Sequence, residues 1–225
     1  LCAKKIFGKV LKDLRKLPNM KIKICGITNI DDAVYCENKG VDALGFIFYE
    51  KSKRYVEVDK AAEIIKKLNP FTLKVGVFVN KNAEEINFIS KKIGLSIVQL
   101  HGDEDENIYK LLNLPVIKAI RIKSGIDIAN ALNCKANFVL LDKFKENIYG
   151  GTGETFDYEI VPVELWKRVI IAGGIDANNI NNILDANILP AAIDLSSGVE
   201  EYPGKKDYKK IDLLMNNINR RRNEC

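Results

Sequence analysis

A chain of 225 residues, 47% of them hydrophobic, suits one barrel of alternating strands and helices, a fold of roughly 250 residues. No run approaches the ~18 consecutive apolar residues that span a bilayer, and the basic N-terminus lacks the apolar core of a secretory signal, so we expect a soluble, cytoplasmic protein. Residues 1–19 hold six of the 35 basic and one of the 30 acidic side chains. This excess accounts for the whole net charge of +5 and leaves the rest of the chain neutral. We therefore expect neither a nucleic-acid nor a membrane partner.

The first nineteen residues precede the first predicted strand. Their apolar side chains recur at helical spacing until Pro18, which predicts either a docked extra helix or a segment foreign to the domain, such as the end of a fused upstream domain. We divide the chain into an extension at 1–19, a barrel at 20–219 and a solvated basic tail at 220–225.

Eight short apolar, β-branched runs follow along the chain. Continuous apolar runs of this length are typical of parallel strands that are buried on both faces. The predicted strands are Ile22–Cys25, Ala43–Phe48, Lys74–Val79, Ile97–Leu100, Val116–Ile120, Phe138–Leu141, Val169–Ala172 and Ala192–Leu195.

Helical patterns separate these strands, and only a short helix fits between the sixth strand and Trp166. The alternation indicates βαβ units, and eight repeats favour a single-domain α/β protein of the (β/α)8 TIM-barrel class over an open doubly wound sheet. The predicted helices are Asp31–Asn38, Asp59–Leu68, Ala83–Ile93, Glu104–Leu112, Ile126–Leu132, Asn178–Leu184 and Asp207–Asn219.

Two side chains at predicted strand ends are candidates for proton transfer. Cys25 ends the first strand and is either a small buried hydrophobe or a base or nucleophile. Asp142 ends the sixth strand and is a candidate acid or base. The alternative is a carboxylate that caps a helix or accepts a hydrogen bond in the loop. Because both stand where barrel enzymes carry catalytic groups, the pair suggests a base and an acid flanking one pocket.

Arg54 and His101 are weaker candidates. Arg54 follows the second strand and suits a bidentate carboxylate, although a solvated charge run is the alternative. His101, the single histidine, either lines the pocket or satisfies a loop hydrogen bond, and its isolation argues against His triads and multi-histidine metal sites. Five scattered cysteines without a CxxC pair indicate neither disulfides nor zinc. Besides Cys25, they receive a structural or tail interpretation: Cys2, Cys36, Cys134 and Cys225.

Glycine-bearing loops follow the last three strands. Glycine lets backbone N–H groups approach an anion, and the loops after strands seven and eight form the usual phosphate site of such barrels. Tight turns are the alternative, but adjacent pairs with neighbouring serines favour phosphate. The three loops contain Gly150-Gly151-Thr152-Gly153, Gly173-Gly174 and Ser196-Ser197-Gly198.

Lys23 shares a strand face with Cys25 because side chains alternate along a strand. In a closed barrel that face is the interior, where an unpaired ammonium is costly. We therefore predict that Lys23 is buried beneath Cys25, pairs with Asp194 of the neighbouring eighth strand, and favours the thiolate. The alternative is an ammonium that reaches solvent at the bottom of the barrel.

An ordered set of motifs carries a family resemblance from about residue 20 to about residue 212. Each motif is weak alone, but together they make the chain resemble the phosphoribosylanthranilate isomerases of tryptophan biosynthesis. The motifs are Lys23-Ile24-Cys25-Gly26-Ile27-Thr28, Ser52-Lys53-Arg54-Tyr55-Val56, Val75-Gly76-Val77-Phe78, Gln99-Leu100-His101-Gly102, Leu140-Leu141-Asp142, the Gly150–Gly153 loop, Ala172-Gly173-Gly174, Asp194-Leu195-Ser196-Ser197-Gly198-Val199-Glu200 and Pro203-Gly204-Lys205-Lys206-Asp207.

The resemblance implies an Amadori rearrangement of N-(5-phosphoribosyl)anthranilate to 1-(2-carboxyphenylamino)-1-deoxyribulose 5-phosphate. It implies Cys25 as general base and Asp142 as general acid. Because a free cysteine has a pKa of about 8.5, Cys25 needs only a modest depression of that pKa to act as a thiolate base. No metal or cofactor is expected, because the imine formed from the sugar is the electron sink. The residues assigned to the small-molecule substrate are Arg54 at the anthranilate end, His101, Gly151, Gly173, Gly174, Asp194, Ser196, Ser197 and Gly198.

Three alternatives remain. An indole-glycerol-phosphate synthase would carry a strand-end lysine and glutamates, and a ribulose-phosphate epimerase would carry histidines and carboxylates around a metal. The single histidine and the pair of Cys25 and Asp142 argue against both. A silent barrel serving as a binding or assembly module predicts loss of Cys25 or Asp142, and both are present. The sequence leaves open a homodimer, and fusion to or association with a neighbouring enzyme of the tryptophan pathway.

Overall fold

Eight parallel strands, neighbours in chain order, close into a barrel in which β1 pairs with both β2 and β8. The computed structural model describes residues 20–122, 125–143, 161–186, 188 and 190–223. The predicted (β/α)8 fold is confirmed. The strands are β1 Lys21–Cys25, β2 Ala43–Ile47, β3 Leu73–Phe78, β4 Ile97–Leu100, β5 Val116–Ile122, β6 Phe138–Lys143, β7 Val169–Ala172 and β8 Ala192–Leu195.

Helices link successive strands, and most lie within three residues of the predicted bounds. The segment after β4 was predicted as an α-helix but forms a short 3-10 helix. The short helix before β7 is also a 3-10 helix. The helices are α1 Ile30–Asn38, α2 Val58–Ile65, α3 Ala83–Ile93, α4 Gly125–Asn133, α5 Ile180–Asp185 and α6 Tyr208–Asn223, with 3-10 helices at Glu106–Leu111, Val163–Arg168 and Ser197–Val199.

Apolar side chains fill two layers. The larger cluster packs the outer face of the barrel against the helices, and a smaller one fills the barrel interior. The interior cluster is built from alternate strand positions, as expected for side chains that point to opposite faces in turn. Its members are Ala43, Val75, Ile117, Ala119, Leu140 and Ile170.

The C-terminal part departs from the sequence prediction in two places. An unpredicted antiparallel hairpin, β9 Glu200–Tyr202 and β10 Lys205–Lys206, follows β8 and turns at Gly204, whose φ is +89°. The last helix, predicted to end at Asn219, continues to Asn223 in α6. Arg222 near the end of α6 donates from Nη2 to the carbonyl oxygen of Met20, which precedes β1, at 2.7 Å.

Several predicted features fall outside the described residues: the extension at 1–19, Cys2, Cys225, and the loop that contains Gly151. Within the described ranges, no helix has the length and apolar content required to cross a membrane.

Candidate active site

A cavity of about 360 Å³ opens at the carboxyl ends of the barrel strands. Its apolar floor includes Ile47, Val77 and Leu140, and its walls gather side chains from strands and loops around the barrel. Every predicted site residue that lies within the described ranges lines it: Cys25, Arg54, His101, Asp142, Gly173, Gly174, Asp194, Ser196, Ser197 and Gly198.

Cys25 is the last residue of β1 and is 6% exposed. A Cβ placed on Gly45 of the adjacent strand would lie 2.7 Å from Sγ, so glycine there makes room for the thiol. The Cys25 carbonyl oxygen accepts from Nζ of Lys206 at 2.6 Å and from Oγ of Ser196 at 3.2 Å. The strand end that carries the thiol is therefore held in place from two directions.

Burial raises the pKa of the Cys25 thiol above its ordinary value, although the ammonium groups of Lys23 and Lys206 oppose the shift. The expected modest depression of this pKa is therefore not seen. The physical reason is desolvation, which penalises the thiolate more than the two cations favour it.

Lys23 and Asp194 form the predicted buried pair beneath Cys25. Their strands are in register, Nζ lies 2.8 Å from Oδ1, and the Lys23 residue is only 2% exposed. Burial alone would lower the pKa of Lys23, but the Asp194 carboxylate and the Cys25 thiolate raise it above its usual range. A charged ammonium therefore lies under the thiol.

Asp142 lies on β6, three strands around the barrel from Cys25. Its side chain is about 31% exposed, and its Oδ2 is 3.5 Å from Nε2 of His101. β6 extends to Lys143, so Asp142 is the penultimate residue of the strand rather than its end. Thiol and carboxylate line the same cavity from separate strands.

Arg54 reaches the cavity from the loop after β2. It donates from Nε to Oε1 of Glu200 at 2.8 Å and from Nη2 to Oε2 at 2.6 Å, a bidentate fork. Its Nη1 group has no protein acceptor among the described residues, so it keeps donors for a ligand. Glu200 also accepts from Nζ of the fully buried Lys206 at 2.9 Å.

Glu200 and Lys206 were not among the predicted site residues. Both appear in the sequence motifs, but only the hairpin β9–β10 brings them to Arg54 and to the Cys25 carbonyl. The available signal was a glutamate and a lysine flanking a Pro-Gly turn after the last strand. Burial raises the pKa of Glu200, but Arg54 and Lys206 outweigh this and lower it overall, so the carboxylate is charged.

The loop after β7 and the loop after β8 lie close to each other. Gly173 and Gly174 have φ of +93° and +67°, values that L-residues with a Cβ rarely adopt. A Cβ on Gly198 would lie 1.9 Å from the carbonyl oxygen of Ile175. Glycine is therefore required in both loops, and each borders the cavity.

Gln99 on β4 is a further cavity residue that sequence reasoning missed. It is 1% exposed, and its Nε2 lies 3.1 Å from Nδ1 of His101. A single polar residue within an apolar strand was the available signal.

Enzymes with a (β/α)8 barrel hold their active sites at this end of the strands, and the chain is an enzyme of this class. The family model described as N-(5'-phosphoribosyl)anthranilate (PRA) isomerase matches residues 22–217. The chain belongs to this isomerase family.

Similar proteins agree with the family match. An N-(5'-phosphoribosyl)anthranilate isomerase of Pseudomonas putida is 43% identical over 201 residues, which cover 88% of this chain and 97% of that protein. The solved structure of the Thermotoga maritima enzyme superposes with a TM-score of 0.81 at 38% identity, covering 89% of this chain and 98% of that one. Another solved relative, with a TM-score of 0.77 at 35% identity and the same coverage of both chains, is described as a complex with reduced 1-(o-carboxyphenylamino)-1-deoxyribulose 5-phosphate.

Proposed function

We propose that this protein converts N-(5-phosphoribosyl)anthranilate to 1-(2-carboxyphenylamino)-1-deoxyribulose 5-phosphate in tryptophan biosynthesis, with Cys25 as general base and Asp142 as general acid. The observation that carries the proposal is one cavity bordered by a buried thiol and, three strands away, a carboxyl group. The relative in complex with the reduced product supports this substrate class.

The first step opens the sugar ring. Asp142 donates a proton to the ring oxygen, the bond from C1 to that oxygen breaks, and the lone pair of the anthranilate nitrogen forms an iminium with C1. A positioned acid lowers the cost of expelling an alkoxide. Asp142 is placed for this step because its carboxyl group lines the cavity.

The second step moves a proton away from C2. The Cys25 thiolate takes that proton, and the C–H electron pair forms the C1–C2 double bond while the iminium pair returns to nitrogen. The enolamine then gains a proton at C1 and loses one from the C2 hydroxyl, which gives the ketone. Because burial raises the pKa of the free thiol, the positive iminium adds to Lys23 and Lys206 in favouring the thiolate.

The anthranilate carboxylate at one end of the substrate would be held by a cationic side chain, and the phosphate at the other end by backbone amides. The guanidinium of Arg54 is fixed by Glu200 and offers Nη1 to the anthranilate carboxylate. Backbone amides of the loops that contain Gly173, Gly174, Ser197 and Gly198 would bind the phosphate.

Assembly and location are separate proposals. A solved Thermotoga maritima relative is described as monomers generated from a dimeric isomerase, and the dimeric state of that parent enzyme supports a homodimer of this chain. Three further predictions stay untested: association with a neighbouring pathway enzyme, a role for the loop at Gly151 and a cytoplasmic location.

Replacing Asp142 by Asn tests the assigned acid. Asn keeps the shape but has no acidic proton, so kcat should fall by about 10²–10⁴-fold with a much smaller change in KM. The remaining pH–rate profile should lack one limb. Asp185→Asn on α5, a 64% exposed carboxylate paired with Arg221, is the control and should keep normal kinetics. High residual activity with an unchanged profile in Asp142→Asn would remove Asp142 from the mechanism.

Replacing Gly174 by Val tests the phosphate site. The Cβ would block close approach of an anion, so KM should rise sharply and inorganic phosphate should no longer raise the Tm. Gly94→Val is the matched control, because Gly94 has a similar φ of +72° at the end of α3 and lies outside the cavity. Both variants should lose stability, but only Gly174→Val should lose the phosphate effect. A phosphate-dependent Tm shift retained in Gly174→Val would locate the site elsewhere.

A further inference from the structure

Gln99 is a buried polar residue of the cavity that the proposed reaction leaves without a role. Its Oε1 is buried and accepts no hydrogen bond from the described part of the chain. An unpaired buried amide oxygen destabilises a folded protein. Fold stability therefore does not explain a glutamine at this position in an apolar strand. Its contact with the His101 ring indicates a role in the site.

The orientation of the Gln99 amide sets the direction of its contact with His101. The amide nitrogen of Gln99, 3.1 Å from Nδ1, carries hydrogens and cannot accept, so Nδ1 of a neutral imidazole must be the acceptor. The ring proton then resides on Nε2. This is the nitrogen that lies 3.5 Å from Oδ2 of Asp142. The orientation of one amide thus decides which form of the imidazole meets the carboxyl group.

We propose that Gln99 is a positioning residue that holds His101 in the Nε2–H tautomer and thereby keeps the proton of Asp142 available for the sugar ring oxygen. The inference rests on the proposed role of Asp142 as general acid. In the other tautomer a bare Nε2 would accept the Asp142 proton and hold it away from the substrate. In the Nε2–H tautomer Nε2 has no free lone pair, so the ring presents a hydrogen toward Oδ2 and does not take the proton from Asp142.

The sequence allows a direct test, because His101 is the single histidine of the chain. A tag-free, ¹⁵N-labelled protein therefore gives one imidazole spin system, whose nitrogen shifts distinguish the two tautomers once the ring is neutral. The wild-type protein should show Nε2–H. Gln99→Glu should move the proton to Nδ1 or leave both nitrogens protonated, since a carboxylate only accepts. An Nδ1–H ring in the wild type, or an unchanged tautomer in Gln99→Glu, would overturn the proposal.

Gln99→Met provides a second variant if a buried glutamate prevents folding. Its side chain has similar length and no polar hydrogen, so the fraction of the ring in the Nδ1–H tautomer should rise above that of the wild type while the Tm is kept or raised. A pure Nε2–H signal in Gln99→Met would contradict the assigned role. Ser90→Ala is the control: Ser90 Oγ is also buried without a partner among the described residues, but it lies on α3 outside the cavity. Its tautomer and kinetics should match the wild type.

Kinetics connect the tautomer to Asp142. Gln99→Glu should lower kcat by about tenfold or more while KM changes little, because the loss concerns a proton delivered in the transition state. A switched tautomer with unchanged kcat would break the link to Asp142. The resonance measurement needs no substrate, so its failure is distinguishable from failure of the proposed function, which would appear as retained activity in Asp142→Asn.

Discussion

Replacing Cys25 by Ala should lower kcat of the isomerisation by about 10²–10⁴-fold, the range that a general base contributes, with a far smaller change in KM. The thiol is 6% exposed, lines the cavity and lies above a buried ammonium, so its removal takes away a group that acts on the C2 proton. Initial rates over a range of substrate concentrations separate the two constants.

The control for this variant is Cys134→Ala. Cys134 is also a buried thiol, 6% exposed, but it does not line the cavity. Its replacement should leave kcat and KM unchanged. Near-normal turnover in Cys25→Ala would show that the base is a different group.

Replacing Lys23 by Met should destabilise the fold by about 3–5 kcal/mol, the usual effect of removing one partner from a buried ion pair. Asp194 would remain in the barrel interior without its counter-ion, 9% exposed. The variant should also slow alkylation of Cys25 at neutral pH, because Lys23 lowers the pKa of the thiol and its loss adds to the effect of burial. Urea unfolding and the alkylation rate measure the two effects.

Lys21→Met is the matched control, since Lys21 lies on the same strand and pairs with Asp42 at the same distance of 2.8 Å. Its side chain is 60% exposed, and exposed pairs contribute about 1 kcal/mol or less. Equal stability losses in the two variants, together with an unchanged alkylation rate in Lys23→Met, would refute a functional pair beneath Cys25.

The barrel was predictable because its strands obey one simple rule. A strand buried on both faces, such as Val169–Ala172, must be apolar throughout, and its length limits the alternatives. The pairing of Lys23 with Asp194 follows from the same regularity: alternation places Lys23 inside, closure brings β8 beside β1, and a buried ammonium needs a carboxylate.

Contacts that depend on loop conformation were not predictable in the same way. Glu200 reaches Arg54, 146 positions earlier in the chain, only because the hairpin β9–β10 folds back over the end of β1. No periodicity encodes that approach. The raised pKa of Cys25 was missed for a related reason, since it depends on the depth of burial, which the sequence does not give.

Mixing the purified wild-type protein with N-(5-phosphoribosyl)anthranilate tests the central claim most directly. The account predicts an enzyme-dependent loss of substrate fluorescence and one product of unchanged mass that co-migrates with authentic 1-(2-carboxyphenylamino)-1-deoxyribulose 5-phosphate. Fluorescence that decays no faster than in buffer, or a loss that yields only anthranilate and ribose phosphate, would contradict it.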